Sequence, residues 1–159
     1  MLTKAKILQE LNSAKIAHER WVKRAEHLVD GLPVDQSFIP LDPTECGFGR
    51  WLYSDMGHRL RLLKEYKSLI EQIEFYHDKL HDIYRKIYKI YFVIPKERSL
   101  LHKIFTLNSK KPTASEQQTA QEYFSELKKS SMELKQLLTQ MENTTKEIKS
   151  LEQLNSIEQ

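Results

Sequence analysis

The sequence predicts an all-α protein, a bundle of four to five helices whose long C-terminal helix carries the heptads of a coiled coil. Three observations point this way. Glycine (4) and proline (5) are few in 159 residues, so long stretches run without a natural break. Leu, Lys, Glu and Gln, all good helix formers, are abundant. Apolar residues recur at three- and four-residue spacing along most of the chain.

The first helix is expected from Leu2 to about Leu32. Ile7, Ala14, Trp21 and Leu28 form one apolar row, and Leu11, His18, Ala25 and Leu32 the row beside it. Gly31 and Pro33 should end it. His18 lies on the apolar stripe, whereas His27 falls half a turn round the cylinder and should face water.

Three prolines in PVDQSFIPLDPTE (33–45) exclude regular helix there. Thr44 or Asp42 is expected to cap a short helix holding Cys46 and Trp51 and ending near Gly57. A long helix follows, to about Val93, with His58 near its start. Its rows are Leu63, Ile70, His77, Tyr84 and Tyr91, and Tyr66, Ile73, Leu80, Ile87 and Ile94. His77 sits in that seam, and His81 lies one turn later and slightly to its side.

Pro95 should break the chain, and SLLHKIFTL (99–107) suggests a further short helix. Thr113 and Glu116 make a capping box for the last helix. Ala120, Leu127, Leu134, Met141 and Ile148 then follow at heptad spacing, flanked by Phe124, Leu137, Leu138 and Leu151. Wholly helical, residues 113–159 would reach roughly 70 Å, longer than the bundle before them, so a homodimer is expected. The division expected is residues 1–94 as a metal-binding helical domain. Residues 95–159 form a short helix and the long helix that completes the bundle or mediates association.

Composition excludes several functions. The net charge of +3, from 25 basic and 22 acidic side chains, is too balanced for a nucleic-acid face. The basic run PKERSLLHKIFTLNSKK (95–111) reads as a solvated connector. One cysteine allows no intrachain disulfide. The N-terminus lacks a signal-peptide pattern, and no apolar run reaches the roughly 18 residues that span a membrane. A cytoplasmic protein is expected.

Chemistry concentrates in four residues. HDKLH (77–81) sets two imidazoles one helical turn apart, able to reach one ion. Alone, the pair is a weak signal, and a buried, hydrogen-bonded core histidine is the first reading of His77. His18 adds an imidazole on an apolar face, where it would be costly unpartnered. Cys46, the single thiol, lies in a segment that must pack across the bundle. Three nitrogens and one sulfur make a tetrahedral set for Zn²⁺. A catalytic zinc would keep an open position, and the chain lacks H-E-x-x-H, Gly-rich phosphate loops and a Ser/His/Asp context, so no enzyme is expected. A hemerythrin-like di-iron bundle would need more histidines and bridging carboxylates. An adaptor bundle with a purely structural zinc, or with no metal, stays open.

His18 opens HERW (18–21), Cys46 opens CGFGRWLY (46–53), and the set closes with HDKLH (77–81). These motifs resemble the chemoreceptor zinc-binding domain, CZB, over about residues 11–92. That family pairs a histidine followed by Trp with Cys-x-x-Gly-x-Trp and His-x-x-x-His. Trp21, Gly49, Trp51 and Leu52 match as well. The resemblance implies one Zn²⁺ on His18, Cys46, His77 and His81. It also implies a cytoplasmic regulatory module for chemoreceptors or diguanylate cyclases, in some members with a cysteine open to oxidants such as hypochlorous acid. No signalling hairpin or cyclase domain accompanies it, so action in trans on chemotaxis or cyclic-di-GMP signalling is expected. Gly47 and Gly49 should turn the backbone tightly behind the sulfur. Asp78, Glu74 and Glu19 are candidates to offset the charge of the ion.

Overall fold

The computed structural model describes residues 3–37, 40–93 and 111–148, and within them five helices and no strand. They are α1 (Lys4–Val29), α2 (Gly47–Leu52), α3 (Asp55–Leu62), α4 (Lys64–Phe92) and α5 (Ala114–Glu147). The short helix expected at 99–107, the row position Ile94 and the flanking Leu151 lie outside the described residues.

Helix α1 starts at Thr3, whose side chain accepts from the Lys6 amide. It ends at Gly31, whose φ of +80° is left-handed. The Leu32 amide donates to the His27 carbonyl at 2.9 Å and that of Gly31 to Leu28 at 3.1 Å, the paired bonds of a glycine C-terminal cap. Ile7, Leu11, Ala14, His18, Trp21, Ala25 and Leu28 are buried as the two rows require, while Leu32, past the helix end, is 51% exposed. His27 is half-buried rather than fully turned to water.

The stretch between the first two long helices departs from expectation. Two short helices replace one, because Tyr53 and Ser54 close α2 and Ser54 begins α3. The cap of α2 is neither Thr44 nor Asp42. Asp42 is spent on a local turn, accepting from the amide and hydroxyl of Thr44 at 2.8 and 2.7 Å. Cys46 holds the cap position instead. The long helix begins at Lys64 and not near Gly57, since Leu63 is extended at φ −82° and ψ 124°. His58 therefore lies on α3, exposed, with Nδ1 donating to the Ser54 carbonyl at 3.0 Å.

Side-chain contacts fix the topology. His18 lies beside His77, and the Tyr91 hydroxyl donates to the Val29 carbonyl at 3.2 Å, so α1 and α4 run parallel. Helix α5 opposes both, with Lys15 bonded to Glu142 on one flank and Tyr66 to Thr145 on the other. The return segment runs back along α4, from the Gln36–Tyr88 hydrogen bond to the Arg61–Glu74 ion pair. It occupies the place of a fourth helix, with α2 and α3 as its helical pieces.

Both rows of α4 inside the described residues are buried, apart from Leu63 at the break. On α5 the Thr113–Glu116 capping box forms as predicted, and Ala120, Leu127, Leu134, Met141 and Ile148 are buried. Each buried Leu or Ile contributes about 1.5–3 kcal/mol. The seam of α5 is thus covered by α1 and α4 of its own chain. The exposed Met132 points away from it.

Candidate metal centre

His77 and His81 stand one turn apart on α4, both with no solvent exposure, their ring centroids 4.8 Å apart. Opposite them, α2 presents Cys46 as its N-terminal cap. The sulfur accepts the Gly49 amide at 3.1 Å and lies 3.2 Å from Nε2 of His77. One donor atom from each of Cys46, His77 and His81 falls within 4.8 Å of the others. Tetrahedral zinc bonds imply about 3.3–3.6 Å between neighbouring donors, a spacing this group can meet with small adjustments.

The chain places the sulfur by close packing. A Cβ on Gly49 would sit 1.8 Å from the Pro43 carbonyl oxygen, so only glycine lets the 42–46 turn lie directly on α2. Gly47 has no such neighbour within 4 Å and is not needed for the turn. Phe48 and Trp51 stack at 5.8 Å, and Phe48 meets His77 edge-on at 5.3 Å. Across the site Trp21 lies 4.6 Å from the His81 ring and 5.7 Å from Tyr84.

The site fails to satisfy its own polar atoms. Nδ1 of His77 and both nitrogens of His81 are buried without a hydrogen-bond partner, as are Nε1 of Trp21 and the hydroxyl of Tyr84. An isolated buried polar group costs a few kcal/mol, and native structures rarely gather several. Burial is also the main cause of the lowered basicity here. It drives His77 to about 3, helped by His18 and His81. It drives His81 to about 4, helped by His18. The Pro40 and Leu41 carbonyls oppose that shift without closing a hydrogen bond on the ring. Both imidazoles are neutral near pH 7, the form that binds metal. Burial pushes the Cys46 thiol up, against the pull of the Gly49 and Phe48 amides and of Arg50. A nearby cation would reverse that balance and favour thiolate. The donor set, the burial and the orphaned nitrogens fit a zinc ion.

His18 stands one layer back. Its ring is 5.5 Å from that of His77, and it falls outside the three-residue donor group. Nδ1 lies 2.7 Å from the Ala14 carbonyl, which can only accept, so Nδ1 carries the proton and Nε2 keeps a free lone pair. The expected outer carboxylates are engaged elsewhere. Glu74 pairs with Arg61, the Asp78 carboxylate accepts from the Tyr53 hydroxyl at 3.5 Å, and Glu19 pairs with Lys135 at the surface. A cavity of about 420 Å³ opens beside the site, with Cys46, His18 and His81 in its wall. Sequence reasoning missed the Trp21–Tyr84 collar round His81. The seam position of Tyr84, three residues after His81, was the available signal.

Fold and site together define an all-helical bundle in which two buried histidines and a half-buried cysteine form a group able to hold a metal ion. Residues 18–88 match the model of the chemoreceptor zinc-binding domain, CZB, so the resemblance read from the motifs is shown for that stretch. CZB is a zinc-binding domain of chemotaxis-related signalling, and zinc is accordingly the metal for this site. No curated protein and no solved structure matches the chain. Among the described residues no helix is long and apolar enough to cross a membrane.

Proposed function

We propose that the protein is a cytoplasmic zinc-dependent regulator that holds one Zn²⁺ on His18, Cys46, His77 and His81 and acts in trans on a chemotaxis or cyclic-di-GMP signalling partner. The observation that carries this reading is His81: fully buried, with both ring nitrogens unpartnered, beside a thiol and a second unpartnered imidazole. His18 completes four donors by turning its free Nε2 inward, its Nδ1 proton already committed to Ala14. Four protein donors close the coordination sphere, which suits a regulatory or structural ion rather than a catalytic one.

Bound zinc supplies charge that holds Cys46 as thiolate, the nucleophilic form. Hypochlorous acid then oxidises it: two electrons leave the sulfur, oxygen stays as sulfenic acid, and chloride departs. The sulfur that changes is also the acceptor for the Gly49 amide. Oxidation therefore weakens a metal donor and the cap of α2 in one event. The homodimer is also part of the proposal. The α5 seam is used within one chain, so a second copy would meet outward residues such as Met132, which is 63% exposed.

The test is the metal content of untagged protein by elemental mass spectrometry, for wild type and Cys46→Ala, before and after mild hypochlorous acid. One zinc per chain, held less firmly in the variant and released by oxidant, is the expected result. One zinc that the oxidant leaves in place would reduce the reading to a structural zinc module. No zinc in a helical protein would leave the adaptor.

A further inference from the structure

We propose that Arg61, Glu74 and Tyr53 are positioning residues for the metal centre, clamping the far end of α2 to the turn of α4 that carries His77. The proposal rests on Cys46 and His77 being zinc ligands. It goes further by naming what sets the distance between them.

Helix α2 has six residues and is about 9 Å long. Cys46 caps one end and Tyr53 the other. A rod this short has no stability of its own, so its lean is set by what grips its two ends. At the first end the sulfur meets Nε2 of His77. At the second, the Tyr53 hydroxyl donates to Asp78, the residue after His77, at 3.5 Å. That bond is long, and the firmer hold comes from α3. There Arg61 grips Glu74 with both terminal nitrogens, Nη1 donating to Oε2 at 2.8 Å, and its guanidinium stands 5.9 Å from the centre of the Tyr53 ring.

Glu74 lies three residues before His77 and Asp78 one after, so a single turn of α4 carries a ligand and both anchor points. The Arg61 and Glu74 side chains are only 28% and 20% exposed. A two-pronged, half-buried pair between different elements resists salt and motion better than an isolated surface bridge. Arg61 also keeps Nε buried without a partner, a cost an incidental surface arginine would avoid. With the clamp closed, α2 cannot swing its thiol away from α4. With it open, the Gly49 packing, the Phe48 contact with His77 and the sulfur contact hold the helix with no anchor at its far end.

Charge reversal tests this on the full chain. Zinc affinity is measured by competition with a chromophoric chelator, and cysteine ligation by the thiolate-to-cobalt charge-transfer band after Co²⁺ loading. Arg61→Glu and Glu74→Arg should each weaken zinc binding about tenfold and diminish the band. The double variant, with the pair rebuilt in reverse, should recover both. Single variants that melt lower but bind zinc like wild type would overturn the proposal, as would a double variant no better than the singles. Should the reversals not fold, Glu74→Gln keeps the shape and loses the charge. It should bind zinc more weakly, and unchanged affinity would overturn the clamp. Cys46→Ala and His77→Ala run alongside: if those two bind zinc like wild type, the ligand assignment itself has failed.

Discussion

Nε2 of His77 lies 3.2 Å from the Cys46 sulfur, and the same sulfur accepts the Gly49 amide. One atom thus joins a fully buried imidazole on α4 to the first turn of a six-residue helix. Whatever changes at that sulfur is felt as a change in how α2 begins. Ligand, cap and packing roles meet there, and single substitutions separate them.

The first concerns His81, whose two nitrogens are buried and unpartnered. Without metal it is a burden, and replacing an unsatisfied buried polar group by an apolar one of similar size is neutral or stabilising. His81→Leu should leave the metal-free protein as stable as wild type, or up to about 2 kcal/mol more stable. The same variant should lose the rise in melting temperature that zinc gives wild type. Thermal melts with chelator and with zinc read both effects. A metal-free His81→Leu protein that is markedly less stable would show the imidazole to be a satisfied core group.

Gly49 and Gly47 should behave oppositely. A Cβ on Gly49 meets the Pro43 carbonyl oxygen at 1.8 Å, whereas one on Gly47 meets nothing within 4 Å. Gly49→Ala must push the 42–46 turn off α2, at about 1–3 kcal/mol, and should weaken zinc binding by moving Cys46. Gly47→Ala should be neutral or slightly stabilising, since alanine favours the helix by up to about 1 kcal/mol. Denaturant melts of both variants check the contrast, and equal losses would contradict it.

Away from the metal, α4 and α5 are tied by a buried hydroxyl chain. Tyr66 donates to Thr145 at 2.9 Å, and Thr145 donates to the Met141 carbonyl at 2.7 Å. Tyr66→Phe removes one bond and leaves Thr145 still donating, so it should cost about 1 kcal/mol. Thr145→Val strands the buried Tyr66 hydroxyl and should cost more, about 1–3 kcal/mol. The double variant should cost less than the sum, because both single changes break the same bond. A double-mutant cycle by chemical denaturation gives the coupling.

Much of this was legible in the sequence, for a plain reason. Helical rows such as Ile7–Ala14–Trp21–Leu28 depend only on periodicity, and the fold buries them where periodicity puts them. The Thr113–Glu116 box and the Gly31 terminus are local chemistry, and they formed. The break at Leu63 was not legible, because leucine carries no signal for an extended backbone and its neighbours read as helix. The cap of α2 was misplaced because Asp42 and Thr44 are stronger cap formers than cysteine, yet they bond to each other. At the site, the motifs picked out His18, Cys46, His77 and His81; the last three meet, and His18 stands one layer back. The Arg61–Glu74 pair joins residues thirteen apart in separate helices. Only the path of α3 brings those charges together, and no spacing rule encodes it.

Cys46 itself carries two roles that one substitution cannot distinguish and two can. Serine is among the strongest N-cap residues, whereas alanine offers the Gly49 amide no acceptor. Cys46→Ser should therefore keep α2 capped, and Cys46→Ala should lose about 1 kcal/mol more in the metal-free state. Toward zinc the order compresses. Both variants lack the thiolate, so both should bind far more weakly than wild type, and neither should show a thiolate-to-cobalt band. Melts in chelator read the cap, and cobalt titrations read the ligand. Equal metal-free stability of the two variants would show that the sulfur–amide contact does not stabilise α2. A wild-type band in either would show that the thiolate assigned to the metal is not one of its ligands.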